Sequence, residues 1–127
     1  MEDTVEFVDN AAVKASPDRY VTVTVDVAKI LKSWRESLFA FEWMLPDGRI
    51  KPHKDLKPEE QAKRAVVEEQ LKKGATLEKP VLGIGLMDNV EIGAGRAVFL
   101  TLAARGAKKL PVHIPKSSRD EFIKFMA

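Results

Sequence analysis

Residues 90–106 carry the tightest constraint in this chain. Val90-Glu91-Ile92 is a short β-prone run, Gly93-Ala94-Gly95-Arg96 follows it, and residues 97–105 form an apolar stretch closed by Gly106. The pattern predicts a strand, a tight turn and a helix, with Gly106 just past the helix end. Glycine permits positive φ and lets a ligand approach the backbone closely. The first N–H groups of the following helix have no intrahelical partner, and the helix dipole adds partial positive charge there. Arg96 adds a planar cation suited to phosphate. Gly93, Ala94, Gly95 and Arg96 are therefore expected to form an anion pocket of the kind that holds a nucleotide phosphate. The bland alternative is a strand-to-helix turn whose glycines serve geometry alone and whose arginine is solvated. Neither the dinucleotide fingerprint nor the P-loop pattern is met, because Val98 stands at the last glycine position and no Gly-Lys-Ser/Thr follows.

Around this segment the elements alternate. Tyr20-Val21-Thr22-Val23-Thr24-Val25 reads as a strand with its valines facing the core, and Asp26 as the cap of a helix over 27–33. Residues 38–44 fit either a continuation of that helix or a strand, with a short strand near 39–44 the preferred reading, and Leu45-Pro46-Asp47-Gly48-Arg49 reads as a turn. Pro58, Glu59 and Glu60 open the longest helix, which ends at Lys72-Lys73-Gly74 with Ala62, Ala65, Val66, Glu69 and Leu71 as its narrow inner stripe. Strands follow at 80–86, 90–92 and 110–114, and Ser117 or Ser118 caps a last helix over 119–126. Residues 1–19 are expected to be a weakly ordered lead-in, with a possible short strand at 5–8. Residues 20–127 form one α+β domain, as 127 residues allow.

The absence of cysteine excludes disulfides, thiol catalysis and cysteine-based metal sites. No leader peptide and no apolar run of ~20 residues is seen, so a cytoplasmic location without membrane contact is expected. The balance of 21 basic and 19 acidic residues does not signal a nucleic-acid binder unless the cations cluster. Arg105, Lys108, Lys109, Lys116 and Arg119 are the set with least acidic neutralisation and could meet a phosphate backbone.

Two residues are catalytic candidates. Glu91 should point away from the core, where it could hold Mg2+ beside a bound phosphate or simply be solvated. His113 could move a proton, or be an edge or surface histidine. His53 lies in a basic loop, and two histidines so far apart make no metal motif. Glu36 and Glu42 are possible acids of undetermined geometry. Trp34, Phe39, Phe41 and Trp43 form an aromatic cluster for either core packing or base stacking.

Residues 57–114 resemble the N-terminal domain of the ParB/sulfiredoxin superfamily. The resemblance rests on a helix ending Leu71-Lys72-Lys73-Gly74, then Leu77-Glu78-Lys79-Pro80-Val81-Leu82, the turn at Asp88-Asn89, Val90-Glu91-Ile92-Gly93-Ala94-Gly95-Arg96, a helix, Gly106 and Leu110-Pro111-Val112. It implies a small mixed sheet flanked by helices, with residues 33–57 as an insertion and without the helix-turn-helix domain of partition proteins. It also implies a nucleotide or phosphate group at residues 93–96, Mg2+ accompanying a nucleotide, and DNA or a protein as partner, with nuclease or NTPase activity in DNA transactions. Where the family pattern has Glu-Arg-Arg after its glycine, this chain has Arg96-Ala97-Val98, which argues against CTP hydrolysis. The sulfiredoxin cysteine is absent. A non-enzymatic protein- or DNA-binding module and a small-molecule kinase stand as alternatives.

Overall fold

The computed structural model describes residues 5–127. Helix and strand are mixed, at 46% and 23%, and the protein is α+β with small sheets. In chain order the elements are β1 (Phe7–Val8), α1 (Ala11–Lys14), β2 (Tyr20–Asp26), α2 (Val27–Trp34), α3 (Pro58–Lys73), β3 (Leu77–Glu78), β4 (Leu82–Ile84), β5 (Val90–Ile92), α4 (Arg96–Ala104), β6 (Lys109–Pro115) and α5 (Arg119–Phe122), with short 3-10 turns between.

β2 and β6 form the long antiparallel pair, with Val23 opposite Val112. β6 is joined on its other side to the lead-in of β4 through a parallel bridge between His113 and Val81, with His113 N–H donating to Pro80 O at 2.9 Å. β4 then pairs antiparallel with β5. The paired strands thus make three two-stranded sheets, β2-β6, β4-β5 and the parallel β1-β3, with the single Val81–His113 bridge linking the first two. Val25, Val112, Ile114, Leu82, Val90 and Ile92 bury the sheet against Ile30 and Trp34 of α2 and Phe99 and Leu100 of α4.

Local chemistry accounts for the element ends. Asp26 Oδ1 accepts the Lys29 N–H at 3.0 Å and caps α2. Gly74, at φ 71°, ends α3 in the left-handed conformation, and Gly106, at φ 95°, follows α4. Ser118 makes no side-chain cap bond, and the last helix is only one turn of α followed by a 3-10 turn, with Phe122 and Phe125 buried.

Three expectations are corrected. Residues 39–44 are not a strand: Ala40–Glu42 is a 3-10 turn, and Met44 makes only an isolated bridge to Ile50. Ala40, Trp43 and Met44 are the buried positions, a helical spacing that the apolar run concealed. The inner face of α3 is Glu60, Arg64, Val67 and Leu71, whereas Ala62, Ala65, Val66 and Glu69 face out. Residues 5–19, expected in the weakly ordered lead-in, carry β1, α1 and a 3-10 turn, with Asn10 and Val13 buried. Residues 1–4 of that lead-in lie outside the described residues. No helix among the described residues is long and apolar enough to cross a membrane.

Candidate functional site

The 93–96 turn is held from below by the backbone of Val81, which donates to Ala94 O at 2.9 Å and accepts from Gly93 N at 2.8 Å. Gly95 then turns left-handed at φ 80°, and a Cβ there would stand 2.9 Å from the Pro80 Cα. Glycine is thus required twice over at this position, by backbone angle and by space. The first intrahelical donor is Phe99 N, bonded to Gly95 O at 3.0 Å. The N–H groups of Arg96, Ala97 and Val98 precede it, no side chain caps the helix, and no acidic residue lies in its first turn. They open onto a depression of about 340 Å3 lined by Glu60, Lys63 and residues 93–98. A second depression of about 480 Å3 meets it at Ala94, Gly95 and Val98.

Arg96 lines the first depression, but its guanidinium is already engaged and does not stand open to an anion as the sequence suggested. Its guanidinium folds back: Nε donates to Ile92 O at 3.0 Å and Nη1 lies 3.6 Å from Glu42 Oε1. Its Cζ stands 5.3 Å from the Phe39 ring centre and 5.8 Å from that of Trp34. A cation over aromatic faces is attracted by their quadrupoles. Arg96 therefore fastens residues 33–57 to the start of α4. Glu42 finds its geometry here as the partner of Arg96.

The other cation lining this depression is Lys63. Its Nζ lies 3.5 Å from Glu60 Oε2, while Glu60 Oε1 accepts the Trp43 Nε1–H at 2.9 Å. Lys63 is well exposed, so this pair constrains it little. In the sequence Lys63 stands among Glu59, Glu60, Glu68 and Glu69, a mixed-sign helix face. Only the packing of α3 against α4 brings it to the turn.

Glu91 is not beside the turn's open side. One oxygen accepts Ser37 Oγ–H at 2.7 Å and the other accepts Asn89 Nδ2–H at 3.0 Å, which pins α2's end to the β4–β5 hairpin. Both oxygens are bonded, and among the described residues no group of three or more His, Cys, Asp or Glu could hold a metal ion. His113 is buried, not at the surface, because the residues before β2 cover it. Nε2 accepts the Asn10 N–H at 3.1 Å, which leaves the ring proton on Nδ1, 3.4 Å from Thr22 Oγ1. Burial, and then the nearby Lys79 ammonium, push its pKa below the ordinary value, with Asp9 opposing. His113 is thus a buried imidazole whose ring is tied to the Asn10 backbone and whose own backbone bridges to Val81, the residue that holds the turn.

The aromatic cluster divides. Trp34 and Trp43 are fully buried, whereas Phe39 is 50% and Phe41 60% exposed. Lys57 stands over the Phe41 ring at 5.5 Å. The five candidate nucleic-acid contacts do not form one patch: Arg105, Lys108 and Lys109 surround the start of β6, while Lys116 and Arg119 lie beyond its other end. His53 is exposed in a 3-10 turn.

No protein-family model, no curated protein and no solved structure matches this chain.

Proposed function

We propose that this chain is a ParB/sulfiredoxin-like domain that binds the phosphate of a nucleotide in the depression before α4. The observation that carries the reading is the uncapped start of α4, opened by Gly95 and faced by Lys63. Three orphan N–H groups and an ammonium provide donors and positive charge in one place. The fold reading is supported by the succession of α3, Gly74, β4, β5, the glycine turn, α4, Gly106 and β6. Binding without hydrolysis fits best, since Arg96 is committed to Glu42 and Ile92 O. Any Mg2+ would arrive on the nucleotide's own phosphates.

Calorimetry with inorganic phosphate, CTP and ATP tests this. Saturable binding is expected, weakened about tenfold by Lys63→Ala, as loss of one charge-assisted contact implies. Absence of binding, or binding indifferent to Lys63→Ala, would overturn it.

A second reading has its own support. Leu38 is 85% exposed, and with Phe39 and Phe41 it gives residues 33–57 an apolar outer surface. Such a surface suits a non-enzymatic module whose insertion meets a protein or DNA partner. Metal-dependent turnover of a nucleotide or nucleic acid by the purified chain would remove this reading.

A further inference from the structure

At the far end of α4 from the glycine turn lies a cavity of about 430 Å3. That volume falls in the ~300–1,000 Å3 range of small-molecule sites. Its wall is apolar: Phe7 of β1, Leu71 near the end of α3, Leu102 of α4 and Leu110 of β6. Its rim carries Arg105, Lys108 and Lys109, all exposed. None of the three forms an ion pair among the described residues.

Two uses of these cations can be weighed. One cation at a helix C-terminus is explained by the dipole, and Arg105 is the C-cap of α4. Lys108 and Lys109 lie beyond the helix, so the dipole does not account for them. A phosphate backbone would want a continuous basic strip. Lys116 and Arg119 are instead at the other end of β6, and a nucleic-acid backbone has no use for an apolar hollow between its contacts.

We infer that this cavity binds an anionic amphiphile, specifically a long-chain carboxylate, with its chain against Phe7, Leu71, Leu102 and Leu110 and its head among Arg105, Lys108 and Lys109. Apolar burial supplies affinity, in proportion to the chain area removed from water. The planar guanidinium of Arg105 suits a carboxylate, and two flexible ammonium groups complete the charge complement. The site is independent of the phosphate reading and can stand or fall alone.

The full chain is titrated by calorimetry with dodecanoate, dodecanol and dodecyltrimethylammonium, all below their micelle concentrations. Dodecanoate should bind at one site, with shifts of the Leu71 and Leu102 methyl resonances but not those of Leu82. The triple variant Arg105→Ala/Lys108→Ala/Lys109→Ala, altered only at exposed positions, should lose about tenfold or more in dodecanoate affinity while leaving dodecanol unchanged. Lys116→Ala/Arg119→Ala should have no effect. The inference is overturned if dodecanoate shows no saturable binding, or if dodecyltrimethylammonium binds as tightly. It is equally overturned if the triple variant binds dodecanoate like the parent, or loses only affinity for single- or double-stranded DNA.

Discussion

Gly95 and Gly74 both sit at positive φ, yet they carry different burdens. At Gly74, φ 71°, an added Cβ meets nothing within 4 Å. Gly74→Ala should therefore cost about 1–2 kcal/mol, the left-handed penalty alone. At Gly95 the same penalty is joined by a 2.9 Å approach to the Pro80 Cα, a backbone atom that cannot swing away. Gly95→Ala should cost more than about 2 kcal/mol, since the strain of the turn is added. Urea unfolding midpoints of the two variants measure the difference, and equal losses would contradict the contact. Gly74, Gly106 and Asp26 were legible in the sequence because a cap is decided by one residue and its immediate neighbours. Arg96 was legible as a residue of the turn but not in its direction. Its partners Glu42, Phe39 and Trp34 come from a segment with no local pattern that points to them.

Between elements, α2 and the segment just after it are fastened to the β4–β5 hairpin by two serine hydroxyls. Ser33 Oγ accepts the Val90 N–H at 2.8 Å, and Ser37 Oγ–H donates to Glu91. Val90 is fully buried, so Ser33→Ala leaves a backbone donor without a partner or water. The loss should be about 1–3 kcal/mol. It outweighs the roughly 0.5 kcal/mol that alanine gains in helix propensity. Thermal unfolding with unchanged far-ultraviolet circular dichroism is the expected signature. The helices α2, α3 and α4 were readable as elements from spacing and termini. The face of α3 was not, since its inward positions include the half-buried Glu60 and Arg64, which are polar and bonded to Trp43 Nε1 and Lys51 O. Hydrophobic periodicity cannot find a face built from polar groups that pack inward. The 39–44 turn was misread for a related reason, as an apolar run that fits two periods at once.

Across the whole molecule, the segment before β2 is clamped to the sheet by His113. The group is neutral when it accepts the Asn10 N–H, and Asp9, Lys79 and Glu78 are the charged groups about the clamp. Its folded pKa is lowered, while the unfolded histidine titrates near 6.5. Below that value the unfolded chain takes up a proton that the folded chain refuses, so the unfolded state binds more protons. Stability is therefore whole above about pH 6.5 and is lost as pH falls through the folded pKa. A urea midpoint measured from pH 7.5 to 5 should fall, and His113→Gln should flatten that fall. A profile identical in the variant would show that the clamp does not titrate. None of this was legible beforehand, because β1 meets β3 and Asn10 meets His113 only through long-range pairing. The same pairing has a consequence for synthesis. β2 leaves the ribosome before β6, so Tyr20 must wait for Pro115 and Asp26 for Lys109. Until β6 emerges, the valine strand is an unpaired edge of high β-propensity. The central pair must therefore close after α2, α3 and α4 have been made, and during that wait the nascent chain depends on its local helices to keep Val21, Val23 and Val25 from foreign strands.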